Sequence, residues 1–518
     1  ISNMKNRAQD ARDLPLAVIH ATVFVTGAAV MLLELLGTRV IAPFYGTSLY
    51  VWSALIAVTM VALSIGYFSG GILADRYGRK LFVWILLAAS AGVFMIPLAD
   101  ATVLQWTDPL GLRLGSLVSA FILFMPALVA LGMAGPAAVK AGTRNLEGLG
   151  VSAGRLYAVS TIGSVFGTFL LAYFLFPAYG TNRILLTLGT VLLSGALLHG
   201  LINGRQGLDL ITGTFVAILG GSAIFDVLSG HELGSPKGFS VISERESLYG
   251  KVRVIDNPMQ DLRLLSSDAS VIGAASIGTG LNRLTYQQIV GLLPLMRQGM
   301  SQALVIGQGA GHMAGDLFAH HGIRVDTIEL DPAVAEAAER HFGFVKSGIQ
   351  RIGDGRYEVR KLQGPYDLVI HDCFTGGSEP THLLTREALM DIKRTMSETG
   401  LMALNLVAFR SPDANLPLRS VVKTVSAVFD HIRVYRSEPD NDFNDFIILA
   451  SDQPLEAESK RLTSAMLTWL KARETDVGSA GGILITDDYN PLESLQVKKS
   501  EHYRQQVAEW LGPEVLLD

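Results

Sequence analysis

Between Leu16 and Leu228 the sequence holds seven apolar stretches, and nothing else in it limits the fold so strictly. They run Leu16–Ile41, Val51–Ala74, Leu81–Leu98, Leu117–Val139, Leu156–Tyr179, Ile184–Ile202 and Leu210–Leu228. A helix crosses the hydrocarbon core of a bilayer with about 20 such residues. Lipid offers no partner to backbone N–H and C=O groups, so each crossing segment must satisfy its own as a helix. Leu16–Ile41 is too long, and too poor in a small-residue cleavage site, to be a removed signal peptide. Gly66 with Gly70, and Gly163 with Gly167, have the spacing that lets two membrane helices approach closely; ordinary membrane glycine usage is the alternative. The pattern predicts a multi-pass α-helical membrane domain over residues 1–230.

Loop charges set an orientation. One alternating set of loops holds Lys5, Arg7, Arg12, Arg76, Arg79, Lys80, Lys140, Arg144, Arg155 and Arg205, against Arg113 and Arg183 in the other set. The positive-inside rule then makes the N-terminus cytoplasmic in a cell (inner) membrane. Seven spans would leave Ser229 onward outside the cytoplasm; a miscount of one within Ile184–Leu228 would reverse that. Glu34 lies inside the first span, where a carboxylate is costly and should face other helices, with Arg39 near the span's end. It is either a hydrogen-bonded structural group or part of a polar path.

The rest of the chain reads differently. Overall it is 49% hydrophobic and 17% charged with mean hydropathy +0.35, and the apolar excess is concentrated before residue 230. The net charge of −5 gives no case for a nucleic-acid partner. The single cysteine, Cys373, excludes an internal disulfide and a multi-cysteine metal site. Ser229–Gly238 is polar and glycine-rich, a boundary. Phe239–Ile255 and Leu262–Ile272 alternate as strands of a small antiparallel sheet, within a linker and subdomain over 231–300. From residue 301 to 518 the pattern becomes strand, helix, strand. Strands are expected at Ala303–Ile306, Val325–Leu330, Ile349–Gly353, Tyr366–His371, Leu401–Val407, Ile432–Arg436 and Phe446–Ala450. This predicts an α/β Rossmann-like domain, an open doubly wound sheet that binds ligands at the carboxyl ends of its strands.

Those strand ends carry chemistry. Gly307, Gly309 and Gly311 follow the first strand and let the backbone turn sharply beside a ligand. Glu329 and Asp331 follow the second, about twenty residues on, where an acid can accept bonds from ribose hydroxyls. Asp354 and Gly355 follow the third, where Asp354 could bond an adenine amino group. Asp372 follows the fourth. Four successive strand ends with polar residues point to a nucleoside site. His312, His320 and His321 are expected on the surface of the helix after the glycines, and no metal ligand set is expected. Cys373 has no adjacent base to make it a nucleophile, so packing is its expected role.

Residues from about 240 to 495 resemble the spermidine synthase family of aminopropyltransferases. Glu246-Ser-Leu-Tyr249-Gly250-Lys-Val-Arg-Val254 is similar to the family's opening strand E-S-x-Y-Q-x-I-x-V. Leu284-Thr-Tyr286-Gln-Gln288 with Pro294 is similar to its Y-H/Q-E…L-P segment. Gly307–Gly311 resembles its G-G-G-D-G, Glu329-Leu-Asp331 its E-x-D, Gly353-Asp354-Gly355 its G-D-G, and Asp372 its catalytic aspartate. Leu33-Glu34…Arg39…Gly46…Trp52 and Thr486-Asp-Asp488-Tyr-Asn-Pro491 resemble the multi-pass membrane members. The resemblance implies transfer of an aminopropyl group from decarboxylated S-adenosylmethionine, a co-substrate with no prosthetic group, to a small-molecule amine acceptor, releasing methylthioadenosine. It makes Asp372 the base and Tyr249, Tyr286, Gln288 and Asp488 substrate contacts. A lipid bilayer is the other implied partner, and a homo-oligomer is compatible with the sequence.

The departures bear on the substrate. Gly250 stands for the family's glutamine, Ala310 for the aspartate that holds the donor's amine, Gln288 for a glutamate, and Thr375 for an acid three residues after Asp372. Nucleoside contacts persist while carboxylates that hold amines are lost; Asp487 and Asp488 could supply charge or cap the turn before Pro491. Two alternatives stay open: a methyltransferase using intact S-adenosylmethionine, and a transporter or sensor whose Rossmann domain only binds nucleoside.

Overall fold

The structure is a computed structural model and describes residues 15–46, 48–143, 149–202, 214, 216–222, 224, 237–374, 377–455, 461–512 and 515–516. Most of the predicted span Leu210–Leu228 lies outside these residues, as do Lys5, Arg7, Arg12, Arg144, Arg205, Thr375 and most of Ser229–Gly238. Two compact units are present, residues 1–232 with 517–518, and Leu233–Leu516.

The first unit is helical. Its principal helices are α1 (Leu16–Tyr45), α2 (Leu49–Tyr77), α3 (Leu81–Thr107), α4 (Gly111–Gly132), α5 (Ala134–Gly142), α6 (Leu149–Leu170) and α7 (Thr181–Ile202). Among the described residues, four continuous helical stretches, Leu16–Tyr45, Leu49–Gly142, Leu149–Leu175 and Thr181–Ile202, are long and apolar enough to cross a membrane. The second stretch is 94 residues long and turns back through the 3-10 segments Gly78–Lys80 and Asp108–Leu110. The expected span Leu117–Val139 is divided between α4 and α5 at Met133.

Helix α1 packs along α6, α2 along α4, and α3 against both α4 and α7. The paired glycines lie at these crossings. A methyl group on Gly66 would stand 2.5 Å from the Val129 carbonyl oxygen of α4, and one on Gly167 would stand 2.9 Å from the Ala28 Cα of α1. Close packing, not chance glycine usage, accounts for both pairs. Glu34 is half-buried beside Thr59 of α2, and the Arg39 guanidinium lies 4.9 Å from the centre of the Phe176 ring.

The second unit begins with an antiparallel sheet in the order β1 (Ser240–Glu246), β2 (Lys251–Asn257), β3 (Leu262–Ser267), β4 (Ser270–Ala275). Each of the two expected alternating runs folds back into a hairpin, the second through Asp268, held at φ 47°. Helix α8 (Thr285–Met296) leads into a seven-stranded sheet. Its elements are β5 (Gln302–Ile306), α9 (His312–His321), β6 (Arg324–Glu329), α10 (Pro332–His341), β7 (Gln350–Ile352), α11 (Gly355–Lys361), β8 (Tyr366–His371), α12 (Arg386–Lys393), β9 (Met396–Phe409), α13 (Leu416–Ser426), β10 (His431–Arg436), β11 (Phe443–Ser451), α14 (Ser464–Arg473) and α15 (Val497–Leu511).

The strand order is β10-β11-β9-β8-β5-β6-β7. Strands β5 to β9 run parallel, whereas β11 is antiparallel to both neighbours. The expected open doubly wound sheet is mixed, because β11 returns directly as a hairpin from β10 and inserts beside β9. Apolar clusters cover both faces, one around Val369, Leu404 and Ile448, the other around Val305, Leu368 and Ile447. The chain leaves β5 in one direction towards β6 and β7 and in the other from β8 towards β9. That reversal opens a crevice between the carboxyl ends of β5 and β8.

Candidate functional site

The loop after β5 turns at Gly307, Gly309 and Gly311, with φ of 89°, 53° and 81°. Side chains rarely adopt such values, and space forbids them as well: Gly307 lies against the Asp372 carbonyl, and a Cβ on Gly309 would stand 2.6 Å from the Ile272 carbonyl. The loop is thus pressed between the end of β8 and the small sheet.

Glu329, at the end of β6, holds this loop from below. Its carboxylate accepts from the backbone N–H of Gln308 at 3.1 Å, Gly309 at 3.2 Å and Asp331 at 3.0 Å. Burial pushes its carboxyl up to about 7, against the opposing pull of those three bonds. Two oxygens offer roughly four acceptor positions, so capacity for a further donor is left. Asp331 has a structural place: it accepts from Ala333 N at 2.8 Å as the cap of α10 and from the Ser247 hydroxyl at 2.5 Å, fastening the first hairpin. Asp354 caps α11 through Tyr357 N at 2.9 Å and meets His382 Nε2 at 3.0 Å. Burial alone would raise its carboxyl, but these partners hold it below the usual range. Gly355 is buried against Ile306 and Leu383.

Across the crevice, Asp372 follows β8. The Tyr286 hydroxyl, from α8, donates to its Oδ2 at 2.8 Å, and Asn405 Nδ2, from β9, donates to its Oδ1 at 2.9 Å. Burial raises its carboxyl above the ordinary carboxylate range despite both bonds. Gln287 Nε2 donates in turn to the Tyr286 hydroxyl at 3.2 Å.

This corrects the reading of α8. Gln287, not Gln288, reaches the site, because successive helical residues point about 100° apart and Gln288 falls on the exposed side. Asp488 is likewise exposed, while Asp487 is bound by Arg356 at 2.7 Å and by the Thr385 hydroxyl at 2.7 Å. That pairing, above all the bond from Arg356, holds Asp487 down to about 2. Tyr249 stands exposed on the hairpin after β1. His312 is a second correction: its ring nitrogens are buried, with the ring edge-on to Phe342, because the tight turn at Gly311 aims the first residue of α9 inward. Cys373 donates to the Ile306 carbonyl at 3.3 Å, and burial pushes its thiol well up, which suits packing and not nucleophilic attack.

Several residues around Asp372 carry no local sequence signal. Glu379, 2% exposed, accepts from Val407 N at 2.8 Å and Gln496 Nε2 at 2.9 Å, and pairs with Lys499 of α15, itself 2% exposed. Asp445 of β11 lies within the electrostatic reach of Asp372 and beside Asn405. Strand pairing places Asp445, and the bonds of Glu379 to β9 and to α15 place the other two. Among the described residues, no group of three His, Cys, Asp or Glu could hold a metal ion.

Known proteins share this unit. Residues 283–437 match the model of the spermine/spermidine synthase domain. The chain is 26% identical over 242 residues to an N-terminal histidine N-methyltransferase of Emericella nidulans, covering 41% of this chain and 42% of that one. It is 31% identical over 186 residues to a polyamine aminopropyltransferase of Vibrio vulnificus, covering 32% and 59%. The chain thus spans about half the length of the curated relatives it matches. A probable spermidine synthase from Corynebacterium glutamicum, of known structure, superposes with a TM-score of 0.38 at 18% identity, over 50% of this chain and 93% of that one. The crevice between β5 and β8 lies within the residues that match the spermine/spermidine synthase domain, in a chain whose N-terminal helical region is apolar.

Proposed function

We propose that the second unit is an aminopropyltransferase acting on decarboxylated S-adenosylmethionine and an amine acceptor, and that the apolar helical unit anchors it in a cell membrane. The observation that carries this reading is Asp372, held by Tyr286 and Asn405 directly across from the glycine loop and Glu329. Glu329 is assigned the ribose hydroxyls, the Gly307–Gly311 backbone the approach to the donor, and Asp354 with Gly355 the adenine end.

The acceptor nitrogen attacks the aminopropyl carbon bonded to the sulfonium. The new C–N bond forms as the C–S bond breaks, and its electron pair stays on sulfur, giving neutral methylthioadenosine. The nitrogen's proton passes to Asp372. An alkylamine has an ordinary pKa near 10.4, so holding it neutral is the main demand on the protein. Burial makes Asp372 a stronger proton acceptor than a free carboxylate, and its two fixed donors aim it. Bringing nucleophile and carbon into line supplies the rest, roughly 7–11 kcal/mol in favourable cases. Asp331 is assigned the helix cap, and Tyr249 and Asp488 are exposed.

One observation favours a second reading, methyl transfer from intact S-adenosylmethionine. Ala310 stands where the related family has the aspartate that holds the donor's amine, and it is packed among Val252, Val254 and Leu265. The relative from Emericella nidulans is named for methyl transfer. Full-length protein in detergent, given each labelled donor and a panel of amines, separates the two. Methylthioadenosine is the expected product; S-adenosylhomocysteine alone would overturn the aminopropyl reading. If the helical unit has seven spans and a cytoplasmic N-terminus, the site lies outside the cytoplasm.

A further inference from the structure

The helical unit holds a groove of its own. Helix α1 packs along α6 and against α2, and α5 packs against all three, but no comparable packing joins α2 to α6. The space left between them is a cavity of about 60 Å³, several times the roughly 10–15 Å³ that admits one water-sized group. Tyr67 of α2 and Tyr157 of α6 line it, are 51% and 57% exposed, and lie within each other's electrostatic reach, so the groove opens between them.

Its inner end is a carboxylate. Helix α1 lines the groove with Val23, Gly27 and Val30, a stripe at helical spacing whose next member is Glu34. Helix α2 lines it with Tyr67 and Leu63, and Thr59 is the next residue on that face. The two helices run in opposite directions, so both stripes reach the same level, where Glu34 and Thr59 stand side by side. Among the described residues no cationic side chain forms an ion pair with Glu34, and the Arg39 guanidinium lies against the Phe176 ring. The Thr59 hydroxyl, 2% exposed, completes no hydrogen bond with any described group. Along the way Thr26 donates to the Val23 carbonyl at 3.2 Å, which leaves its oxygen able to accept.

A half-buried carboxylate among apolar helices is costly unless something offsets its charge, and an open groove leads to this one. An acyl chain brings it no donor, an anion is repelled, and one carboxylate is too few for a metal ion. A primary ammonium fits: it carries one positive charge and three N–H donors, and tyrosine ring faces attract it at the entrance. We propose that the groove between α2 and α6 binds an organic cation, a primary ammonium on a short alkyl stem, with Glu34 as its counter-charge. This is a ligand site within the helical unit, apart from the crevice of the second unit, and it does not depend on the reaction assigned there. The helical unit is then a receptor for small cations as well as an anchor.

Full-length protein in detergent is illuminated with a diazirine-bearing alkylammonium, and the labelled peptides are identified by mass spectrometry. Label should fall on residues 23–30, 63–67 or 156–160. Propylammonium should displace it at least about tenfold more effectively than 1-propanol, since a charge-assisted bond is at stake. Glu34→Gln should lower labelling of these segments about tenfold and leave any label in the second unit unchanged, and Glu34→Asp should keep part of it. A Cβ on Gly135, which lines the groove, meets nothing within 4 Å, so Gly135→Leu should fill the space and block the label without lowering the melting temperature. Absence of label from the three segments overturns the site, as does displacement by 1-propanol as effective as by propylammonium. A Glu34→Gln protein that melts earlier but is labelled like the wild type makes Glu34 a structural group and ends the proposal. Should Glu34→Gln fail to fold, Gly135→Leu decides whether the groove is the site, and the comparison of the two competitors decides whether charge is what it recognises.

Discussion

The two walls of the crevice are built on opposite plans. The wall proposed for the nucleoside is local: Glu329 bonds Gln308, Gly309 and Asp331, all within one strand–helix–strand unit. Its turn is fixed before any ligand arrives. The wall around Asp372, proposed for the amine, is assembled from afar, with Tyr286 on α8, Asp372 after β8, Asn405 on β9, Asp445 on β11 and Lys499 on α15. It gathers negative charge and leaves carbonyl oxygens open. The first wall is held together by its own backbone, whereas the second leaves the carbonyl oxygens of Asn405 and Gln287 without a donor among the described residues. On the proposed reading, binding the first substrate and choosing the second are tasks of separate parts of the chain.

The sharpest break between the walls should come from Asp372→Asn. The amide still meets Tyr286 and Asn405 but takes no proton near neutral pH, so turnover should fall by roughly 10²–10⁴. Methylthioadenosine affinity, a property of the other wall, should stay within a few-fold by calorimetry. Full turnover in this variant would remove Asp372 from the chemistry. Next in size is Lys499→Met, which leaves Glu379 charged, buried and without its cation. Breaking such a pair costs roughly 3–5 kcal/mol, so the melting temperature of the protein should drop by several degrees or more. An unaltered melting curve would show that the ion pair does not support the amine wall.

The smallest effect concerns the nucleoside wall. Glu329 has its carboxyl raised from 4.5 to about 7. A raised carboxyl binds its proton more tightly in the native state, so the stability it adds is present below the ordinary value and fades as pH climbs through about 7. Ribose hydroxyls donate, and therefore prefer the ionised form. Methylthioadenosine affinity should rise between roughly pH 6 and 8 and then level off. Glu329→Gln should bind about tenfold more weakly, with no such rise. A flat profile in the wild type would mean that the ribose is held elsewhere.

The legibility of the sequence follows the same division. The glycine turn, Glu329 and the positions of the parallel strands were readable because their partners lie within some twenty residues, where spacing reports geometry. Asp331 and Asp354 were placed at the right strand ends, yet their helix-capping bonds depend on the backbone that follows. Gln288 was taken for Gln287 because a motif fixes neighbours only to within a residue, while a helix turns one of them inward. The start of β9 was hidden because Ser397, Glu398 and Thr399 are polar, although they extend a strand whose later residues are buried.

What the sequence determined by itself is whatever short-range physics dictates. Apolar stretches of bilayer length must be helices, and closely spaced glycines with an acid one strand later make a tight turn that the acid can hold. What only the tertiary structure decided is the amine wall and the mixed sheet. Asp445 and Asn405 lie forty residues apart, and nothing in either segment names the other. Inserting β11 antiparallel beside β9 puts them on one face, and a side chain's face, unlike its identity, is settled only by the strand it pairs with.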